Sequence, residues 1–128
     1  MKVIAIYGSG AYGQEIALLI EKINSRTEAS SDKWNLVGFF DDNEVLHNSR
    51  NEFGPVLGGI DSLNVYKGEL SLVIAIANPG VLISILGKIK KNDIKFPNII
   101  DPDTEYLHYS SIKIGRGNII GSGCRLSP

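Results

Sequence analysis

Six residues near the amino terminus have the spacing of a phosphate-binding turn. They are Gly8, Ser9, Gly10, Ala11, Tyr12 and Gly13. In the pattern G-x-G-x-x-G, the first glycine allows a tight turn, the second lets a pyrophosphate approach the backbone, and the third lets a helix pack on a strand. Amides at the start of the following helix would bind the anion. The pattern predicts a nucleotide or pyrophosphate site, although the same glycines could serve only the geometry of a strand-to-helix turn.

Two adjacent carboxylates could hold the nucleoside of such a ligand. Asp41 and Asp42 follow a second apolar run, roughly 28 residues after Gly13 instead of the usual 20 or so, and a polar stretch from Ser25 to Lys33 accounts for the difference. A carboxylate accepts hydrogen bonds from ribose hydroxyls and repels a 2′-phosphate, so an unphosphorylated ribose is favoured over NADP. The alternative is that Asp-Asp-Asn is only a turn.

Apolar runs with the length of buried strands alternate with amphipathic segments. The predicted strands are Val3–Tyr7, Leu36–Phe40 and Leu70–Ile76. One helix is predicted from the glycine turn to near Asn24, with its core stripe at Ile16, Leu19, Ile20 and Ile23. A second is predicted after Asn78-Pro79, with its stripe at Val81, Ile85, Leu86 and Ile89. This alternation predicts an α/β fold, a Rossmann-like parallel sheet with helices on both faces and right-handed crossovers.

Three further segments connect these elements. Glycine and proline breakers predict that Glu44–Gly59 is a long ordered loop over the sheet edge. Asp61 is predicted to cap a short helix that runs through Leu63 and Tyr66. Phe96–Ile100 is predicted as a brief edge strand because it contains a proline.

A six-residue repeat occupies the end of the sequence. Ile114, Ile120 and Leu126 are aliphatic, and glycine follows the first two directly. This period is typical of a parallel β-helix, in which the aliphatic side chain fills the core and glycine permits the corner. A solenoid needs about three repeats to bury its core, so we expect residues 1–109 to form one domain and residues 110–128 only the first turns of a longer β-helix.

In order along the chain, these blocks resemble the sugar O-acyltransferases of the sialic-acid O-acetyltransferase type (NeuD/PglD-like). The blocks are Ile4–Glu15, Val37–Asp42, Gly58-Gly59, Val73–Pro79 and Ile100–Gly115. The resemblance implies a Rossmann-like domain that binds a nucleotide-linked amino sugar, typically a UDP-sugar. It also implies a left-handed β-helix that binds acetyl-CoA and forms a homotrimer. It adds Gly59 and Asn78 to the predicted substrate-binding residues.

No catalytic residue is predicted within this chain. In the family the catalytic histidine lies in a later coil of the β-helix, and neither His47 nor His108 matches that position. Both histidines are interpreted as surface or packing residues, and Cys124 as structural. The chain alone is therefore expected to bind a sugar nucleotide and to transfer no acetyl group. The alternatives are a fragment of an NAD-dependent oxidoreductase or a nucleotide-sensing module.

Composition excludes several other classes of protein. The 128 residues carry a formal net charge of −1, so nucleic acid lacks a basic field to bind. The apolar runs are too short to span a bilayer, and no Cys/His spacing predicts a metal site. A single cysteine favours a reducing, cytoplasmic compartment. Trp34 is expected to pack beside the sheet, although it could stack on a base.

Overall fold

The computed structural model describes residues 1–103 and the backbone of three further strands at 105–106, 119–120 and 125–126. The strands are β1 (Lys2–Tyr7), β2 (Trp34–Phe40), β3 (Arg50–Asn51), β4 (Gly54–Gly58), β5 (Leu70–Ile74), β6 (Ile94–Lys95), β7 (Ile99–Ile100), β8 (Glu105–Tyr106), β9 (Ile119–Ile120) and β10 (Arg125–Leu126). The α-helices are α1 (Ala11–Ser25), α2 (Ile60–Asn64) and α3 (Pro79–Lys88), and short 3-10 helices lie at Ser30–Asp32 and Glu44–Leu46.

Six strands form one twisted sheet in the order β3-β4-β2-β1-β5-β6. All neighbours are parallel except β3, which runs antiparallel to β4. The chain builds outward from β1 to β2 and β4, and then returns to place β5 on the other side of β1. This reversal of strand order opens a crevice at the carboxyl ends of the central strands, where α/β proteins bind ligands. The predicted Rossmann-like sheet is confirmed.

Helices cover both faces of this sheet, as predicted. Successive strand residues point to opposite faces, so Ile4 and Ile6 pack with Ile16 and Ile20 of α1. On the other face, α2 and α3 cover a second apolar cluster. Its buried members are Ala5, Tyr7, Phe40, Leu63, Leu70, Leu72, Ile85 and Ile94. The alternation along β1 therefore divides the core into two layers.

The prediction of a long loop over Glu44–Gly59 is wrong. This segment contains a 3-10 turn and the β3–β4 hairpin, and β4 pairs in parallel with β2. Its GPVLG sequence contains two glycines and a proline, which obscure a strand whose residues Gly54, Val56 and Gly58 are buried in alternation. β4 lies between β2 and the two-residue strand β3, which pairs with it only at Gly54 and Pro55, so the proline interrupts little of the hydrogen-bond ladder.

Two predictions about the helices also need correction. The residue before α2 is Gly59, without a side-chain cap, so Asp61 lies inside the helix instead of capping it. In α3, Ile85 is the buried residue, whereas Val81 and Leu86 are 41% and 44% exposed. A ten-residue helix on the outer part of a sheet buries only a narrow stripe. The periodicity of the sequence therefore predicted more buried residues in α3 than the structure shows.

The predicted edge strand at Phe96–Ile100 is wrong in position. The sheet edge is β6, two residues earlier, where Ile94 and Lys95 pair with β5. Ile99 and Ile100 form β7, which pairs with β9 in a separate two-stranded sheet, and β8 pairs with β10 in another. Most of residues 110–128, including Cys124, lies outside the described residues, as does His108. The β-helix and the domain boundary at residue 109 therefore stay predictions.

Ion pairs fasten the chain after β7 to the last turns of α1. Lys22 Nζ lies 2.9 Å from Asp101 Oδ1 and 2.7 Å from Asp103 Oδ2, and Arg26 also pairs with Asp103. Asp101 is only 4% exposed. Hydrogen bonds from Arg26 and Lys22 lower the pKa of the Asp103 carboxyl to about 2. The exit of the chain from the sheet is thus held at the carboxyl end of α1.

Candidate functional site

The glycine turn lies at the carboxyl edge of the sheet, between the ends of β2 and β5. The amide of Gly8 donates to the Phe40 carbonyl at 2.7 Å, and the amide of Ala75 donates to the Tyr7 carbonyl at 2.8 Å. Three strand ends therefore meet around the turn, which is the crevice that the strand order predicts to hold a ligand.

Gly8 and Gly13 are required by the fold itself. Gly8 has φ +108°, and a Cβ there would stand 2.8 Å from the Ala75 carbonyl oxygen. A Cβ on Gly13 would stand 1.9 Å from the carbonyl oxygen of Gly8. These two glycines let the turn lie against β5 and let α1 start close to β1.

Gly10 has a different environment. Within the described part of the chain, a Cβ on Gly10 would meet no atom within 4 Å, and its φ of −75° suits any residue. Gly10 precedes α1 without a side-chain cap, so no side chain occupies the amides of the first helical turn. Ala11 and Tyr12 begin that turn, and the Tyr12 side chain is 40% exposed. The fold leaves room at Gly10 that a bound anion would use.

The side chain of Asp41 holds the glycine turn through hydrogen bonds. Its Oδ2 accepts hydrogen bonds from the Ser9 amide and the Ser9 hydroxyl, both at 2.8 Å. Its Oδ1 accepts from the Asn43 amide at 2.9 Å. Burial alone would raise the pKa of the Asp41 carboxyl, but the bonds from Asn43 and Ser9 outweigh it and lower this pKa. Asp41 is therefore ionised at neutral pH, and each of its two oxygens already accepts a hydrogen bond within the protein.

Among the described residues, only one of the two side-chain oxygens of Asp42 accepts a hydrogen bond. The phenol of Tyr7, itself 1% exposed, donates to Asp42 Oδ1. The Asp42 residue is exposed and lines an open cleft. The two adjacent carboxylates consequently differ, because Asp41 faces the turn and Asp42 faces the space where a ligand would lie.

The cleft beside Asp42 has a volume of about 400 Å³, within the range of small-ligand sites. Glu44, His47, Gly59 and Asp61 contribute to its lining. His47 donates through Nε2 to the Asp41 carbonyl oxygen at 2.7 Å. A Cβ on Gly59 would stand 3.2 Å from the ring of His47, so glycine leaves space for that ring. The cleft is rich in hydrogen-bond acceptors.

Asn78 lies near the turn but is partly used by the fold. Its Oδ1 accepts from the amides of Gly80 at 2.9 Å and Val81 at 3.1 Å, which caps α3. Pro79 occupies the first position of that helix, as predicted. Only the side-chain amide nitrogen of Asn78 is left for a ligand.

The structure gathers all of the predicted binding residues at one edge of the sheet. It adds a tyrosine, Tyr7, and the histidine His47 at the rim of the cleft. A tyrosine that ends an otherwise aliphatic strand was the available sequence signal for the first. No sequence pattern indicated His47, because its partner is a backbone carbonyl. Trp34 lies at the opposite edge, packed against the α1 layer.

Among residues 1–103, no three His, Cys, Asp or Glu side chains are placed to hold a metal ion together. The helices described here are all too short or too polar to cross a bilayer.

The sheet order and the glycine turn define a small Rossmann-like α/β domain. Residues 3–89 match the family described as the PglD N-terminal domain. Because this match covers more than half of the 128 residues, the chain belongs to that family. No curated protein matches the sequence.

Two solved acetyltransferases share the fold. One is the acetyltransferase domain of PglB from Neisseria gonorrhoeae FA1090 in complex with acetyl coenzyme A, with a TM-score of 0.73 and 24% identity. The match covers 97% of this chain and 55% of the PglB chain. The other is PerB from Caulobacter crescentus in complex with CoA and GDP-perosamine, with a TM-score of 0.72 and 18% identity over 99% of this chain. This chain spans 55% of the length of each.

Proposed function

We propose that this chain is the sugar-nucleotide-binding part of an acetyl-CoA-dependent sugar acetyltransferase. The diphosphate would bind the amides of the Gly8–Gly13 turn, and the nucleoside would occupy the cleft beside Asp42. The observation that carries this proposal is Gly10, whose missing Cβ serves no contact among the described residues. Family membership and the two acetyltransferase structures support the transferase class.

We propose that the ligand is a UDP-linked amino sugar, as the family resemblance implies. PerB contains GDP-perosamine, so a GDP-sugar is the first ligand to compare with it. Cleft carboxylates at Asp42, Glu44 and Asp61 suit the N–H and O–H donors of a base and ribose. We propose a cytoplasmic protein that acts in bacterial glycan biosynthesis.

The described residues do not fit acetyl-CoA itself. Coenzyme A carries a 3′-phosphate on its ribose, and three carboxylates at the cleft would repel that charge. As the family resemblance implies, we propose that acetyl-CoA and the catalytic histidine belong to the β-helix of the family, which forms a homotrimer. In this chain we assign binding residues only, namely Gly8, Ser9, Gly10, Ala11, Tyr12, Gly13, Asp42, Gly59 and Asn78, with Asp41 as the residue that holds the turn.

The second candidate is binding of NAD, as a fragment of an oxidoreductase or as a sensing module. The glycine spacing favours it equally. However, Asp41, which stands where a ribose-binding carboxylate is expected, has both oxygens occupied by Ser9 and Asn43. Asp42 could serve either ligand, so it is the family match and the acetyltransferase structures that favour a sugar nucleotide.

Calorimetric titration with UDP, GDP and NADH tests the binding function. We expect a uridine or guanosine nucleotide to bind and NADH not to bind. Gly10→Val should weaken binding at least about tenfold through a clash with the diphosphate, with unchanged circular dichroism. Gly87→Val is the matched control, because Gly87 in α3 also faces open space but lies outside the site. Equal affinity of Gly10→Val and the parent would reduce the turn to a structural role.

An acetyl-CoA-consumption assay tests the absence of turnover. With UDP-amino sugars as acceptors, this chain alone should consume no acetyl-CoA, because it holds no more than the start of a β-helix. Clear turnover would mean that a residue within these 128 acts as the base, with His108 the first to replace.

A further inference from the structure

Tyr7 is a polar residue in the least exposed part of the core. It ends β1, is 1% exposed, and packs nearly parallel to the ring of Phe40 with centroids 6.4 Å apart. Burying a hydroxyl is costly unless it finds a hydrogen-bond partner. Its partner is Oδ1 of Asp42, on the rim of the cleft. The bond therefore connects the interior of the domain with the candidate ligand site.

The phenol is a permanent donor to this carboxylate. Burial, followed by the hydrogen bond to Asp42 and the charges of Asp42, Asp41 and Asp61, raises the pKa of the Tyr7 hydroxyl. Tyr7 consequently stays protonated at neutral pH. No other residue in the described part of the chain donates to Asp42, so its second oxygen can accept a bond from a ligand.

The bond is not needed to hold the two strand ends together. The Gly8 amide already donates to the Phe40 carbonyl at 2.7 Å, which joins the end of β1 to the end of β2. A phenylalanine would fill the same space in the apolar layer around Phe40. The hydroxyl therefore has its effect at Asp42 and not in the packing of the sheet.

We propose that Tyr7 is a positioning residue that fixes the Asp42 carboxylate toward the nucleoside of the bound nucleotide. One oxygen is held by the buried phenol, and the other accepts an N–H or O–H of the nucleoside. A carboxylate that is already fixed loses less side-chain entropy on binding, so the site gains affinity from a residue that the ligand never touches. This inference rests on the proposed nucleotide-binding function and names Asp42, not Asp41, as the nucleoside ligand.

Tyr7→Phe tests the proposal because it removes one oxygen atom and keeps the ring. We expect the affinity for UDP or GDP, whichever binds the parent more tightly, to fall roughly five- to tenfold in calorimetry. Asp42→Ala should lose more, and Tyr7→Phe should add less than about twofold in the Asp42→Ala background. Tyr66→Phe is the matched control, since it removes a phenol oxygen from the same apolar layer away from the cleft lining. Thermal unfolding of each variant reports whether the fold is retained.

The outcomes separate this inference from the function on which it rests. If the parent binds none of the nucleotides, the proposed function fails and the role of Tyr7 fails with it. If the parent binds and Tyr7→Phe binds equally well, only the positioning role fails. An equal loss in the parent and Asp42→Ala backgrounds would mean that Tyr7 acts through the fold. Should Tyr7→Phe not fold, Asp42→Ala decides alone, and undiminished affinity in that variant overturns the proposal.

Discussion

The two ends of the sheet carry openings of similar size and opposite chemistry. The cleft at the carboxyl end is about 400 Å³ and the groove at the amino end about 350 Å³. At the amino end, Lys2 Nζ lies 4.1 Å from the ring centroid of Trp34. The side chain of Asn24 bonds both the amide and the carbonyl of Trp34. The rest of the groove lining is mostly apolar, with the exposed charges of Glu69 and Lys95 at its border.

The carboxyl end leaves polar groups for a ligand. Asp42 keeps one oxygen, and the first amides of α1 have no side-chain cap. Volume therefore does not distinguish a binding site from a surface groove in this protein. What distinguishes them is the lining, which is polar and carries three carboxylates at the carboxyl end but is mostly apolar with mixed charges at the amino end.

The largest expected effect is a loss of stability on replacing Gly13, at the start of α1 by the carboxyl end of the sheet. Gly13→Ala should lower the free energy of unfolding by more than about 3 kcal/mol, because the new Cβ would overlap the Gly8 carbonyl. Gly87→Ala is the matched control, since its Cβ meets open space in α3, and it should stabilise by about 0.5–1 kcal/mol. Urea unfolding measures both. A mild effect of Gly13→Ala would mean that α1 can move away from β1.

Replacing each of the adjacent carboxylates should affect nucleotide binding to different extents. Asp42→Ala should weaken nucleotide binding by about 1.5–3 kcal/mol, the value of a hydrogen bond to a charged group. It should also lower the free energy of unfolding, because the buried Tyr7 hydroxyl loses its partner, and adding Tyr7→Phe should remove most of that cost. Asp41→Ala removes three accepted bonds and leaves the buried Ser9 hydroxyl without its partner, so it should lower the free energy of unfolding by a similar amount. Calorimetry and urea unfolding check the two variants together. If both bind as tightly as the parent, the loop at Gly58 and Gly59 is the next place to look.

The ion pairs between the last turns of α1 and the chain after β7 predict a loss of stability in acid. The pKa of Asp103 is about 2 in the folded chain, below its ordinary 3.8. A group with a lowered pKa contributes stability above its unfolded value, and the contribution disappears as pH falls through the folded value. The unfolding free energy should therefore drop between roughly pH 4 and pH 2. Asp103→Asn should show a smaller drop, measured by urea unfolding across this range, and an equal drop would assign the effect to Asp41 and Asp101.

The smallest effect is expected at the amino-end groove. Lys2→Ala should leave nucleotide affinity unchanged and cost less than about 1 kcal/mol of stability, because an exposed cation on an aromatic ring contributes little. The same titration and unfolding experiments measure it. A loss of affinity comparable with that of Asp42→Ala would contradict the assignment of the two ends.

Sequence reasoning identified the parts of this fold that have a strong period. The apolar run before Gly8 predicted β1, and the stripe with Ile16 and Ile20 predicted α1. It missed β4 because glycine and proline in a short strand look like a loop. It also overestimated the buried face of α3, since periodicity does not say how much of a helix a neighbouring sheet covers.

The site was predictable as a set of residues but not as a division of roles. Asp41 and Asp42 are equivalent in sequence, and their difference depends on strand register. Pairing of β1 with β2 shifts by one residue after Ile4, where Gly38 adopts φ +150°. This irregularity sets Tyr7 opposite Phe40, two residues before Asp42. No local pattern reports such a shift, so the Tyr7–Asp42 bond required the structure.

The length of α1 sets the distance between the glycine turn and the ion pairs at Lys22 and Arg26. Its first turn belongs to the candidate diphosphate site, and its last turns hold the chain exit through Lys22 and Arg26. Fifteen helical residues span about 22 Å. Asp101 and Asp103 are therefore held at a spacing from the candidate diphosphate site that is set by the length of one helix. Inserting one residue into α1 would lengthen that spacing by about 1.5 Å and rotate the exit by about 100°.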